Sequence, residues 1–281
     1  MSQPNDSRQF EVTPEHSKLE KLERTFSFHP LNQKAPGFLD LSQIQKFNEK
    51  GYLSNIQIFT KEEISEIRHY FDDLLQETLR SGASSYSIST AHMKHGKVYD
   101  IMTHSRLRHL MRDLIGPDVI GWGAHFFCKM PKDGKAVSWH QDASYWPLSE
   151  SKTLTVWLAV DDSDTENGCM EVIPGSHLKG LIQYRQSQAE ENNVLNQTIE
   201  PQVEWPAASP ICLRAGEISI HSDLLVHGSK PNQSERRRCG LTLRYCPPEV
   251  RAGEGWNEKG VWVCGKDSEK HWANQKRPMN D

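Results

Sequence analysis

A change of hydrophobic period at Gly116 is the feature that most constrains this chain. Before it, apolar residues recur at helical spacing. Ile64, Ile67, Phe71, Leu74 and Leu75 follow Thr60 and Glu63, a T-x-x-E pattern whose two side chains cap a helix start reciprocally. Leu107, Leu110, Met111 and Leu114 mark a second helix over 105–114, ended by Gly116. Upstream, Ile44 and Phe47 precede Gly51-Tyr52-Leu53, a turn into a strand. After Gly116 the period falls to two. Ile120, Trp122, Ala124, Phe126 and Cys128 alternate with Gly121, Gly123, His125, Phe127 and Lys129. Further short strands are predicted over 153–160, 169–173, 217–220 and 240–245, with Pro174-Gly175-Ser176 among the turn signals. Helices first and many short strands after predict a mainly β sandwich or barrel with an α-helical N-terminal layer.

A length of 281 residues suits one domain with an extension. Few apolar positions precede Pro36, so residues 1–36 are predicted to form a polar, loosely held arm and residues 37–281 the single domain. The polar segment 187–202 is expected to cross the barrel mouth as a loop. A net charge of -4 leaves no basic footprint for nucleic acid. No stretch approaches the roughly 20 apolar residues that cross a bilayer. The first residues are polar, and the six scattered cysteines include no C-x-x-C pair. Reduced thiols and a cytoplasmic location are the expectation.

Ser138-Trp139-His140-Gln141-Asp142 is the most informative stretch. Residues two apart on a strand point the same way, so His140 and Asp142 would enter one space. An imidazole and a carboxylate there are two members of a 2-His-1-carboxylate triad, which leaves coordination positions open on Fe(II). The third ligand must come from a distant strand, and His227 in Leu224-Leu225-Val226-His227-Gly228-Ser229 is the best candidate. An isolated H-x-D is more often a polar strand edge, and the chain has a second one, His221-Ser222-Asp223. The surroundings separate the two. Arg238 follows His227 by eleven positions at the start of a strand, and a guanidinium fork suits the far carboxylate of a chelating keto acid. His221 and Asp223 have no comparable set.

These motifs resemble the phytanoyl-CoA dioxygenase family of Fe(II)/2-oxoglutarate oxygenases. The resemblance runs from about Phe47 to Pro248. It rests on Phe47…Gly51-Tyr52, Trp139-His140-Gln141-Asp142, Trp157, Asn167-Gly168-Cys169-Met170, Ile173-Pro174-Gly175-Ser176-His177, His227-Gly228-Ser229 and Arg238. It implies a double-stranded β-helix (jelly roll), with its core over about 117–248 and iron at the barrel mouth. It would make His140, Asp142 and His227 iron ligands and Arg238 the anchor of 2-oxoglutarate. Ser229 would assist that anchor, and Lys129 and Trp157 would line the co-substrate pocket. O2 is the second co-substrate and ascorbate the expected activator. Related halogenases carry Ala or Gly at the carboxylate position, so Asp142 implies hydroxylation.

The remaining residues bear on substrate. Tyr145 and Trp146 are expected to face the mouth, where they would hold an apolar chain or cup an ammonium group. Arg244 lies six positions beyond Arg238, so unbroken alternation turns both inward and suggests an anionic substrate. Together these holders suit a small zwitterion. The whole-chain pattern is most similar to the 2-aminoethylphosphonate dioxygenase branch, which implies hydroxylation at the carbon next to phosphorus. Other small amino or carboxylic acids and acyl-CoA thioesters are alternatives. A non-catalytic cupin-type metal binder or a zinc hydrolase is a different class, with no need of Arg238. His177 is expected to be structural, and the acidic run 161–166 to be an exposed loop.

Overall fold

Two capping boxes start the main N-terminal helices. In the computed structural model, which describes Pro14, residues 16–201 and residues 204–281, a short α1 (His16–Leu19) precedes α2 (Leu41–Lys50), capped by Asp40 and Gln43. Strand β1 (Tyr52–Gln57) leads to α3 (Lys61–Arg80), which Thr60 and Glu63 cap as the T-x-x-E pattern requires. The helices α4 (Gly96–Met102) and α5 (Ser105–Leu114) complete the layer. Eleven strands follow: β2 (Val119–Lys129), β3 (Val137–His140), β4 (Leu154–Ala159), β5 (Met170–Val172), β6 (Arg185–Gln186), β7 (Gln197–Thr198), β8 (Ser209–Ile211), β9 (Glu217–Ser222), β10 (His227–Ser229), β11 (Arg238–Cys246) and β12 (Val261–Cys264). Among the described residues no helix is long and apolar enough to cross a membrane, and all six thiols are free.

The strands form a jelly roll. A major sheet runs β1-β9-β4-β11-β2-β12 and a minor sheet β3-β10-β5-β8, with every pairing antiparallel. The chain steps from one sheet to the other between β3, β4 and β5, and again between β9, β10 and β11. One face of the major sheet is covered by the helices. Phe71 of α3 stacks on Phe126 of β2 at 4.7 Å, and Ile64, Ile67, Leu107 and Leu110 join Val156, Leu158, Ile218, Ile220, Leu241 and Leu243 in one core. Each such buried side chain stabilises the fold by roughly 1.5–3 kcal/mol. The other face looks across to the minor sheet, so β4 is buried on both sides and lacks the alternation of a half-exposed strand.

The alternation predicted along β2 breaks at one place. Ala124, Phe126 and Cys128 belong to the helix-facing core, whereas Ile120 and Trp122 belong to a second cluster with Tyr145 and Trp146. The cause is a register shift: Arg244 pairs with Gly123 and Tyr245 with Gly121, which leaves Trp122 bulged between them. An extra residue in a ladder re-aims its side chain, and here it sends Trp122 to the inner side. The flanking glycines are the signal that a strand is irregular at this point.

Four expectations are corrected. The jelly-roll sheet extends beyond 117–248, because β1 and β12 form its two edges. The segment 187–202 carries part of a hairpin, β6 paired with β7, rather than plain loop; Gln202 lies outside the described residues. The arm is not loosely held where it is described. Leu19 is buried, Thr25 bridges Glu150, and Arg24 Nη1 donates to the carbonyls of Ala143, Ser144 and Trp146 at 3.3–3.5 Å. Residues 1–13 and 15 lie outside the described residues. The acidic run is also less open than expected: Asp161 pairs with Arg68 and Arg237, and Asp164 with Arg236.

Gly240 is the tightest point of the inner face. A Cβ there would lie 2.0 Å from the Trp157 ring. Gly240→Ala is therefore expected to destabilise the protein by about 1–3 kcal/mol through overpacking, read from urea unfolding; an unchanged midpoint would contradict this packing.

Candidate metal centre

The candidate metal ligands lie on the minor sheet and on the turn that follows its strand β3. β3 and β10 are neighbours with His140 directly opposite His227, and the two ring centroids lie 4.1 Å apart. β3 stops at His140, Gln141 remains extended, and Asp142 opens a single 3-10 turn over Asp142–Tyr145. The two-residue spacing thus still delivers His140 and Asp142 to one side. One ligand atom from each of His140, Asp142 and His227 lies within 4.8 Å of the others, and all three residues are buried. Gln141, between the ligands, is also fully buried. Its amide donates to Gly180 and Leu224 carbonyls at 2.8 and 2.6 Å and accepts from the Ile182 N–H at 2.7 Å. That clamp fixes the segment from the side opposite the metal position, and Arg24 braces the turn beyond it.

The hydrogen bonds sort the donor atoms. His140 Nδ1 lies 2.8 Å from the Ser138 carbonyl, and His227 Nδ1 lies 2.9 Å from the Leu225 carbonyl. A carbonyl only accepts, so each Nδ1 carries the proton and each Nε2 is left as the ligand nitrogen. Burial lowers the pKa of both rings, which keeps them neutral, the form a metal needs. The Asp142 oxygens are divided as well. Oδ2 accepts from Thr155 Oγ1 at 2.9 Å and faces His221 Nε2 at 3.5 Å, while Oδ1 lies 3.8 Å from His140 Nε2. Burial works against ionisation here. The His221 contact and the positive field of Arg244 outweigh it and hold the carboxyl well below its usual range. Two neutral imidazoles and one carboxylate with a free oxygen fit Fe(II).

His221 corrects the expectation that the second H-x-D stands apart. Its ring centroid is 4.5 Å from that of His227. His221, Thr155, Arg244 and Gly123 are successive register partners across β9, β4, β11 and β2, so this row of the major sheet faces Asp142. Asp223 lies elsewhere: it caps the Thr153 N–H at 3.2 Å, and burial raises its pKa well above the usual value. The strand carries the histidine to the site, and the turn takes the carboxylate away.

Arg238 occupies the other end of β11. It is 3% exposed, its Nη2 donates to the Gly168 carbonyl at 2.7 Å and to Ser229 Oγ at 3.4 Å, and its Nε has no acceptor. No acid pairs with it among the described residues. The cavity it shares with Ser229, Trp157, Met170, Thr155, His221, His227, Asp142 and His140 measures about 50 Å³. A buried guanidinium with an unused donor fits an incoming carboxylate. Trp157 serves it as a wall, with the Arg238 Cζ 5.5 Å from the ring centroid. Lys129 departs from its expected role. Its ammonium donates to the carbonyls of Lys135 (3.1 Å), Ser229 (3.4 Å) and Lys230, and it does not line the cavity. Burial and the adjacent Arg238 push its pKa down to about 7. It ties together the backbone that presents Ser229.

A second cavity of about 130 Å³ meets the first at His140, Asp142, Phe127 and Arg244. Tyr145, Trp146, Trp122 and Trp256 wall it, and Val194, Leu195 and Asn196 reach it from the segment between β6 and β7. Tyr145 and Trp146 therefore face the metal position as expected, and Arg244 points inward as the alternation requires. His177 does not: it packs edge-on against Phe28 and lies 3.1 Å from the Asn48 carbonyl, a structural place. His221, Gln141, Arg24 and Trp122 are site residues that motif reading passed over.

Partners that fix a metal-bound carboxylate typically contribute ten- to a hundredfold to metal affinity. His221→Ala is expected to weaken Co(II) binding by about that factor and to change the spectrum of the bound ion, measured by titration alongside the unfolding temperature. Unchanged affinity and spectrum would remove His221 from the centre.

The chain matches the phytanoyl-CoA dioxygenase (PhyH) family model over residues 47–240. It is 23% identical over 255 residues to a probable alpha-ketoglutarate-dependent hypophosphite dioxygenase of Stutzerimonas stutzeri, covering 80% of this chain and 86% of that protein. It is 22% identical to a methylphosphonate hydroxylase of Gimesia maris, covering 73% and 79%. The fold superposes on the non-heme monooxygenase ThoJ with a TM-score of 0.73 at 24% identity, covering 84% of this chain and 88% of that one. CytC3 with Fe(II) and alpha-ketoglutarate gives a TM-score of 0.62 at 20% identity, covering 84% and 93%. With the metal-ligand geometry and the unpaired Arg238, these matches lead to one conclusion: the chain belongs to the phytanoyl-CoA dioxygenase family and is an Fe(II)- and 2-oxoglutarate-dependent dioxygenase.

Proposed function

We propose that this dioxygenase hydroxylates an aliphatic C–H of a small polar substrate, with phosphonates the leading class and 2-aminoethylphosphonate, giving 1-hydroxy-2-aminoethylphosphonate, the first candidate. One observation carries the reading: the His140–Asp142–His227 cluster lies where two cavities meet, one holding Arg238 and the other walled by aromatic residues. Co-substrate and substrate then approach the same ligand set from different sides. When bound, Fe(II) with 2-oxoglutarate supplies O2 activation, so that 2-oxoglutarate, O2 and a substrate C–H become succinate, CO2 and a C–OH.

The chain's own residues position and exclude. His140, Asp142 and His227 hold the metal on one side, and Arg238 with Ser229 holds the far carboxylate of 2-oxoglutarate. Asp142 fills the position that a halide would otherwise take, which favours hydroxyl transfer. The second cavity limits substrate size. A pocket of about 150 Å³ takes one benzene, so about 130 Å³ suits a molecule of a few heavy atoms better than the chain of an acyl-CoA. Two relatives act, by their names, on phosphorus oxyanions, which supports the same class. A cupin-type binder would leave the buried charge of Arg238 without a purpose.

Anaerobically purified protein given Fe(II), ascorbate, 2-oxoglutarate and then O2 is expected to release succinate in proportion to added substrate. The panel includes 2-aminoethylphosphonate, alkylphosphonates, amino and carboxylic acids and acyl-CoA thioesters. Asp142→Ala should abolish hydroxylated product. Wild-type yield in that variant, or stimulation by acyl-CoA alone, would overturn the proposal.

A further inference from the structure

We infer that Arg244 is the receptor for an oxyanion of the substrate, and that this anion, rather than any cationic arm on the same molecule, supplies the affinity. The inference rests on reading the second cavity as the substrate site.

Arg244 is a half-buried guanidinium without an acid. It makes no ion pair among the described residues, and its Nε is buried with no acceptor. Neighbouring arginines show the contrast: Arg237 and Arg236 each pair with two acids. The carboxylate whose field reaches Arg244 is Asp142. Its Oδ2 is already engaged by Thr155, and its Oδ1 is directed to the metal position. An arginine kept in such a place has donors to offer, and it stands where the second cavity meets the one that holds Arg238.

The aromatic walls narrow the class further. Arg244 Cζ lies 5.2 Å from the Trp146 ring centroid and 5.8 Å from that of Trp122, so the protein's own cation lies over these rings. Lys259 Nζ likewise lies 3.8 Å from the Trp256 centroid. Cation–π contact steadies a guanidinium, and here the protein's own cations already use these rings. Among the described lining residues Asp142 is the sole acid. Its oxygens serve Thr155 and the metal position rather than a substrate amine, whereas an oxyanion meets Arg244. The bulge that re-aims Trp122 and the inward alternation of β11 are both needed to make this subsite.

A phosphonate, a sulfonate and a carboxylate share the required chemistry. The test uses intact protein loaded with Fe(II) and 2-oxoglutarate under anaerobic conditions, and reads tryptophan fluorescence, to which Trp122 and Trp146 report. Ethylphosphonate, ethanesulfonate, propionate, 2-aminoethylphosphonate, neutral propanamide and cationic choline are titrated in parallel. At least one simple anion is expected to bind, propanamide and choline are not, and 2-aminoethylphosphonate is expected to bind no tighter than ethylphosphonate. Among the anions, the tightest identifies the headgroup. Arg244→Gln and Arg244→Lys are each expected to weaken anion binding by about ten- to a hundredfold, the scale of a lost charge-assisted pair. Arg244→Lys keeps the charge and guards against a folding defect in Arg244→Gln. Equal binding of propanamide and the anions in the wild type overturns the inference, as does tenfold tighter binding of 2-aminoethylphosphonate than of ethylphosphonate. Visible absorption of the Fe(II)–2-oxoglutarate complex, recorded first, separates the outcomes: its absence rejects the dioxygenase site itself, and its presence without anion binding rejects only the subsite.

Discussion

An ionised carboxylate inside an antiparallel barrel is the constraint on which the rest of this structure depends. Asp142 is buried, and burying a lone charge costs several kcal/mol unless partners compensate. The compensation comes from both sheets. The minor sheet brings His140 and His227 with their Nε2 atoms turned inward. The major sheet brings Thr155, His221 and Arg244 as one cross-strand row. A bound Fe(II) would supply the remaining positive charge. Remove the jelly-roll crossover between β9, β10 and β11, and neither set reaches the other.

The same strand, β11, then separates two recognition tasks. Arg238 at its start and Arg244 near its end are six residues apart, about 20 Å along an extended chain. Neither pairs with an acid among the described residues, and each has a buried Nε without an acceptor. The family fold hosts diverse substrates, so fold alone does not choose among them. The choice lies in the walls around Arg244. Trp146 follows the metal turn, Trp122 depends on the bulge in β2, and Trp256 comes from the segment before β12.

Much of this was legible in the sequence where a local rule acts alone. Thr60 and Glu63 announce α3 because a capping box is a four-residue event. His140, Asp142 and Arg244 could be aimed from period-two alternation, because Gln141 stays extended between the first two and most of β11 is regular, although β3 shifts register against β10. What escaped depends on pairing between distant segments. His221 reads as half of a spare H-x-D, and only the β9–β4–β11 register brings it to Asp142. Trp122 fails simple alternation because the bulge is a property of two strands, though Gly121 and Gly123 hint at it. Lys129 reads as a co-substrate residue, yet its ammonium donates to three carbonyls brought in by the end of β10, the residue after it and the β2–β3 turn. Arg24 braces the metal turn from 119 residues away, and no local pattern encodes that distance.

The most direct test of the account is anaerobic titration of the Fe(II)-loaded protein with 2-oxoglutarate, followed by the visible charge-transfer absorption of the chelate, in wild type and Arg238→Ala. The wild type should develop the band and saturate. The variant should require on the order of ten- to a hundredfold more 2-oxoglutarate, the scale of a lost charge-assisted pair, while pyruvate, which lacks the distal carboxylate, should bind both proteins alike. A wild type that develops no band, or a variant that saturates at the wild-type concentration, would contradict the assignment of this cavity.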